Sequence, residues 1–137
     1  MKKYILSLDD MDEVVSDVAS HFQSGVVILR GDLASGKTTL VKKIVAHLGI
    51  DEDVTSPTFS LQHAYAEKVF HYDIYNHGLE HFMALGMLEE LEREGLHFIE
   101  WGDDALVSLL READINVMSV DIEKISDEKR EYRVCTY

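Results

Sequence analysis

The feature that most restricts what this chain can fold into is the run Gly31-Asp32-Leu33-Ala34-Ser35-Gly36-Lys37-Thr38, which matches G-x-x-x-x-G-K-[ST]. It follows Val26-Val27-Ile28-Leu29, a β-branched run typical of a strand buried on both faces. It precedes a helix expected over Lys37–Leu48, with Gly49 as its stop. A loop bordered by glycines lets successive backbone N–H groups converge on a β-phosphate, and the helix N-terminus adds its positive dipole end. In that frame Lys37 reaches the β- and γ-phosphates and the Thr38 hydroxyl serves as a Mg²⁺ ligand. The competing interpretation, a glycine-rich turn with a chance lysine, loses because motif and context agree.

The remaining sequence alternates strand-like and helix-like segments, the pattern of an α/β fold. A strand is expected at Lys3–Leu8. Asp9 or Asp10 then caps a helix with Met11, Val14, Val15, Val18, Ala19 and Phe22 on one stripe and Glu13 closing a capping box. Asp51–Thr58 reads as a loop holding the only proline, Pro57. Phe59–Ala66 and Val69–Tyr75 read as strands joined by a tight turn at Glu67-Lys68. Leu79–Glu94 reads as a helix with a weak point at Gly86, His97–Trp101 as a strand and Asp103–Arg111 as a helix. Ile115–Ile125 and Tyr132–Tyr137 close the chain as strands. At 137 residues without repeats or a linker, the expectation is one domain over 1–137.

Charge limits the partners. Thirteen Lys and Arg stand against 26 Asp and Glu, a formal net charge of −13. Non-specific nucleic-acid binding rests on cationic side chains meeting phosphates, so strong direct binding of nucleic acid is not expected. A phosphate ligand has to be held locally, by fixed dipoles and one lysine. The lone Cys135 offers no disulfide partner and no metal cluster, and reads as an inert thiol in a terminal strand. No apolar stretch approaches the length of a membrane span, so no membrane contact is expected and a cytoplasmic location is the default.

A magnesium–phosphate site needs a further carboxylate and a group that orients the attacking water or hydroxyl. Asp73 and Glu100 each end an apolar strand, where C-terminal strand ends gather on the ligand side of a parallel sheet. Residue types alone leave open which acid takes which role. The GTPase signature D-x-x-G and the guanine-reading N-K-x-D are both absent, which favours ATP over GTP. Thr55-Ser56-Pro57-Thr58 reads first as an ordinary loop with a proline turn, and a γ-phosphate-sensing segment is the second reading. His71, His77 and His81 have zinc-like spacing but lack a further ligand set. Trp101 reads as an anchor for the site wall rather than a base-stacking platform.

Four blocks taken together resemble the TsaE (formerly YjeE) family: Gly31 through Thr39, Thr55-Ser56-Pro57-Thr58-Phe59, His71-Tyr72-Asp73-Ile74-Tyr75 and Ile99-Glu100-Trp101. The resemblance implies a P-loop NTPase-like three-layer α/β sandwich with a mixed, largely parallel central sheet. It also implies a Mg²⁺-dependent ATPase that assists the TsaD–TsaB complex in threonylcarbamoyl modification of the tRNA adenosine beside the anticodon. Carried onto this sequence, Gly31, Leu33, Ala34, Ser35, Gly36, Lys37, Thr38 and Thr39 hold the ATP or ADP phosphates. Thr38 and Glu100 bind Mg²⁺, Asp73 is the catalytic or water-orienting acid, and Ser56 and Thr58 belong to a switch-like loop. Arg133 in the closing strand is a candidate nucleotide contact.

Three positions depart from the family pattern. Ala34-Ser35 replaces a Gly-Ala pair, which costs about 1 kcal/mol if position 34 requires a left-handed backbone. Asn76 stands where arginine is common, and Met11 where threonine often lies near the adenine. Two other functions remain in view: a nucleoside-type small-molecule kinase with Asp73 as base, and a nucleotide-gated binding module with weak hydrolysis.

Overall fold

A strand buried on both faces requires a helical layer on each side, and β2 (Gly25–Arg30) is such a strand, with Val26 through Leu29 fully buried. The structure, a computed structural model of the chain, describes residues 1–21, 24–32, 36–55, 62–74 and 78–137. Around β2 are arranged β1 (Lys2–Ser7), α1 (Asp12–His21), α2 (Lys37–His47), β3 (Gln62–Tyr65) and β4 (Val69–Asp73). Then follow α3 (Gly78–Ala84), α4 (Met87–Leu91), β5 (Leu96–Glu100), α5 (Asp104–Glu112), β6 (Val117–Lys124) and β7 (Lys129–Thr136).

These strands form one sheet of seven in the order β1-β7-β6-β2-β5-β4-β3. Its four central strands, β6, β2, β5 and β4, run parallel, while β7, β1 and β3 join by antiparallel pairing. The expected mixed sheet is therefore parallel where the chain leaves β2 at Gly31.

Side-chain alternation divides the interior into two cores. Val27, Leu29, Phe98, Met118 and Val120 pack against Val14 and Val18 of α1 and Leu40, Val41 and Ile44 of α2. On the other face Val26, Ile28, Phe70, Tyr72 and Ile99 pack against Phe82 of α3, Leu91 of α4, and Leu106 and Leu110 of α5. Tyr4 of β1 ties the first layer down by donating to Asp17 of α1 at 2.6 Å; that carboxylate bond, aided by burial, pushes the phenol up to about 12.

Several boundaries differ from the sequence expectations for local physical reasons. The first bond of α1 runs from the Val15 N–H to the Met11 carbonyl, so the helix begins too late for an Asp9 or Asp10 capping box. The expected helix over Leu79–Glu94 is two short ones, because Gly86 takes a φ of 73° and starts α4 anew. The β3–β4 turn centres on Ala66 and Glu67, both left-handed at φ 52° and 53°, with Lys68 N–H donating to the Tyr65 carbonyl. That primed geometry suits the right-handed twist of the hairpin. Strand β5 ends at Glu100, one residue short of Trp101. Phe22 and residues 59–61 of the expected third strand lie outside the described residues.

Gly95 enters β5 at φ 134°, and a Cβ there would stand 2.5 Å from the Lys68 carbonyl oxygen, which accepts the Leu96 N–H. Replacing Gly95 by Ala should therefore cost about 2–3 kcal/mol from left-handed strain and loss of that contact. Urea unfolding measures it; a loss below about 1 kcal/mol would show that the Lys68 turn gives way freely.

Candidate functional site

The site follows from register. Across β2, β5 and β4 the pairing sets Leu29 beside Glu100 and Glu100 beside Asp73. Three parallel strands thus reach their C-terminal ends at one level. Just beyond Leu29 and Arg30, the chain departs at Gly31 and returns as α2, whose first residue is Lys37. Period-2 alternation turns His71, Asp73, Phe98 and Glu100 toward the α1–α2 face, the side on which α2 lies. Gly36 stands at the helix entrance with φ 108°, a conformation open to glycine and strained for any other residue.

Lys37 is 5% exposed, and its Nζ donates to the Gly31 carbonyl at 2.6 Å and the Asp32 carbonyl at 3.1 Å. The ammonium also lies 4.0 Å from the ring centroid of Trp101. Burial lowers the Lys37 pKa, while Glu100, Asp73 and Asp32 oppose that shift. The lysine is therefore held by weak neutral acceptors and an aromatic face, in the field of three acids. A phosphate oxygen brings full negative charge and makes a stronger acceptor than either carbonyl.

Glu100 and Asp73 are both buried. The Thr38 hydroxyl donates to Glu100 Oε2 at 3.4 Å, and His71 Nε2 approaches the same oxygen at 2.5 Å. A hydroxyl and a carboxylate side by side are hard oxygen donors, the ligand type magnesium takes. Trp101 follows Glu100 at φ 70°, unusual for a bulky residue, and its N–H donates to the Leu29 carbonyl at 3.3 Å. This turn off the strand end sets the indole as a wall beside Lys37.

The structure brings Gly31, Gly36, Lys37, Thr38, Thr39, Asp73 and Glu100 to one end of the sheet. Leu33, Ala34, Ser35, Ser56, Thr58 and Asn76 lie outside the described residues. Arg133 sits on β7, two strands from β2, with Nη1 donating to Glu131 at 2.9 Å and Glu123 at 3.2 Å. Met11 is buried in the α1–α2 core. Thr55 is anchored to β3, its N–H donating to the Tyr65 hydroxyl at 3.3 Å and its Oγ1 meeting His63 Nδ1 at 3.3 Å.

The sheet separates two members of the zinc-like spacing: His71 faces the α1–α2 layer, while His81 belongs to α3 on the opposite layer. No group of three or more potential metal-binding His, Cys, Asp or Glu residues occurs among the described residues. Cys135 is a free thiol on β7. Sequence reasoning missed the His71–Glu100 contact. Its one available signal was parity, since His71 and Asp73 must share a face of their strand.

Behind the site, a buried polar chain connects the strands on their other face. His97 Nε2 donates to the Arg93 carbonyl at 2.8 Å, leaving Nδ1 to accept from the Tyr72 hydroxyl at 2.8 Å. That hydroxyl in turn accepts from Gln62 Nε2 at 3.1 Å. Burial raises the Tyr72 pKa and lowers that of His97.

Fold and site geometry together define a three-layer α/β protein of the P-loop NTPase-like class. The family model for "Threonylcarbamoyl adenosine biosynthesis protein TsaE" matches residues 5–132, and the chain belongs to that family. Its proteins take part in tRNA threonylcarbamoyladenosine biosynthesis. The tRNA threonylcarbamoyladenosine biosynthesis protein TsaE of Treponema pallidum is 36% identical over 115 residues, covering 82% of each chain. The protein of the same name from Nostoc sp. is 38% identical over 87 residues, 57% of this chain and about half (52%) of that protein. Among solved structures, that of Bacillus subtilis YdiB superposes with a TM-score of 0.65 at 24% identity, covering 98% of this chain and 85% of that one. That likeness shows the fold.

The buried His97 yields a pH test. Its folded pKa lies below the ordinary 6.5, so the unfolded chain binds this proton more readily. The stabilising contribution is complete above about pH 6.5 and is lost as pH falls through the depressed folded value. A His97→Gln variant should be about 1–3 kcal/mol less stable than wild type at neutral pH, and that gap should narrow toward about pH 5. Denaturant titrations at the two pH values measure both quantities.

Proposed function

We propose that this chain is a Mg²⁺-dependent P-loop ATPase that assists the TsaD–TsaB complex in threonylcarbamoyl modification of the tRNA adenosine beside the anticodon. One observation carries the reading: Lys37, Thr38, Glu100 and Asp73 converge at the C-terminal ends of three adjacent parallel strands, beside a loop matching the phosphate-binding pattern. Family membership supports the pathway. The cytoplasm, where tRNA is modified, is the proposed location; among the described residues no helix is long and apolar enough to cross a membrane.

In this reading Lys37 leaves the Gly31 and Asp32 carbonyls for the β- and γ-phosphates of ATP. Thr38 and Glu100 would hold the magnesium ion, which when bound neutralises charge on the phosphate oxygens. Asp73, level with Glu100 on the neighbouring strand, orients the attacking water. Gly31 through Thr39 supply the phosphate cradle, and Thr58 contributes a hydroxyl near the γ-phosphate. Arg133 reaches a nucleotide only by releasing Glu123 and Glu131. Turnover in isolation is slow, since no arginine among the described residues is positioned beside Lys37 as a finger. The acidic chain leaves tRNA to its partners.

Phosphate release should rise when TsaD and TsaB are added, and should fall at least about 100-fold in Asp73→Asn and in Glu100→Gln. ATP binding should survive in Asp73→Asn and weaken more than about tenfold in Lys37→Met. Trp101, the sole tryptophan, should change its fluorescence on ATP binding as Lys37 leaves its ring. Equal turnover with and without the partners would remove the partner-assisted reading. Transfer of phosphate to a nucleoside, rather than to water, would replace it with the kinase.

A further inference from the structure

His71 and His97 are the two fully buried histidines among the described residues, and their surroundings differ. His97 has partners on both ring nitrogens. His71 has Nε2 2.5 Å from Glu100 Oε2, while its buried Nδ1 has no hydrogen-bond partner. A ring nitrogen left unpaired in an interior lowers stability, and a leucine or phenylalanine facing the α1–α2 core would avoid that cost. What a histidine does here that an apolar residue cannot is donate to Glu100. Leaving a bare lone pair on Nδ1 costs less than stranding an N–H there, so the proton belongs on Nε2, directed at the carboxylate.

The same Oε2 also accepts from the Thr38 hydroxyl. Two donors on one oxygen, one from β4 and one from α2, fix the carboxylate's rotation. His71 stands two residues before Asp73 on the same face of β4, so the strand that carries the water-orienting acid also aims its neighbour.

We propose that His71 is a positioning residue for Glu100: its Nε2–H holds the carboxylate beside Thr38 in the orientation that receives a divalent cation with the nucleotide. This rests on the ATPase reading above. Its consequence is a split between metal and nucleotide affinity. Groups that orient metal ligands typically change metal affinity on the order of 10–100-fold when removed.

Mn²⁺, read by electron paramagnetic resonance, is the probe, titrated into the full chain loaded with ADP. Nucleotide affinity is measured separately in EDTA. His71→Phe should weaken Mn²⁺ binding by about tenfold or more and leave metal-free ADP affinity within about twofold. His71→Gln, whose amide N–H can occupy the place of Nε2, should restore most of the Mn²⁺ affinity. In a Glu100→Ala background, His71→Phe should add nothing, because it acts through the missing carboxylate. If His71→Phe does not fold, His71→Asn, too short to reach Oε2, takes its place. Unchanged Mn²⁺ affinity overturns the proposal, as does an equal fall in metal-free ADP affinity or a further loss in the Glu100→Ala background. A wild-type chain that binds neither ADP nor ATP sinks the ATPase reading itself. Wild-type binding with an unaffected His71→Phe removes the role of His71 alone.

Discussion

The parallel pairing of β5 between β2 and β4 is the constraint on which the rest depends. It sets Leu29, Glu100 and Asp73 level across three strands. Because the chain leaves β2 just above that level and re-enters as α2, Thr38 meets Glu100 across a gap of 62 residues in sequence. A slip of one residue in β5 would turn Glu100 to the α3–α5 face and bring Ile99 to the lysine. The hydrophobic parity of both cores guards against that slip, since it would also exchange Phe98 with Ile99. Burial of the two cores therefore fixes which side chains meet at the strand ends.

Placing an ammonium and two carboxylates within one buried corner is unfavourable unless they compensate one another. Here they do so in part: Glu100 and Asp73 oppose the loss of positive charge on Lys37 that burial promotes. The ammonium adds two carbonyls and an indole face, none of which carries full charge. Backbone strain gathers at the same place, with Trp101 in the left-handed region directly after Glu100. Strain of this kind persists where surrounding packing overdetermines it. Gly102 shows the packing, for a Cβ there would stand 2.8 Å from Ile28 Cγ2. The site combines stored strain with a single cation set among more acids than it can neutralise.

Much of this was legible in the residues, for reasons that can be separated. The phosphate-loop pattern needs only local backbone chemistry, so Lys37 and Thr38 read directly from sequence. Asp73 and Glu100 announced themselves as acids ending apolar runs, and parallel strands gather such ends. The helix breaks were less legible. Gly86 was visible as a weakness, but whether a glycine bends, caps or splits a helix depends on what Phe82 and Leu91 pack against. The late start of α1 likewise reflects Met11 going into the core rather than an aspartate taking the cap. Least legible was the His71–Glu100 pair, because contact across parallel strands depends on register, and register is a property of the assembled sheet. Leu33–Ser35, Ser56 and Thr58 lie outside the described residues, so their readings still stand on sequence and family pattern.

The two faces of β4 carry different duties in consecutive residues. Phe70 and Tyr72 belong to the rear core and its hydrogen-bonded chain, while His71 and Asp73 face Glu100 and Lys37. A residue-by-residue scan along this strand would therefore alternate in phenotype. Positions 70 and 72, with the core residue Val69, would govern how much folded protein exists, and positions 71 and 73 what each folded molecule can do. Screens that score only survival or bulk output would merge the two. Scored for abundance and specific activity separately, a strand of five residues becomes an internal ruler for telling folding from function.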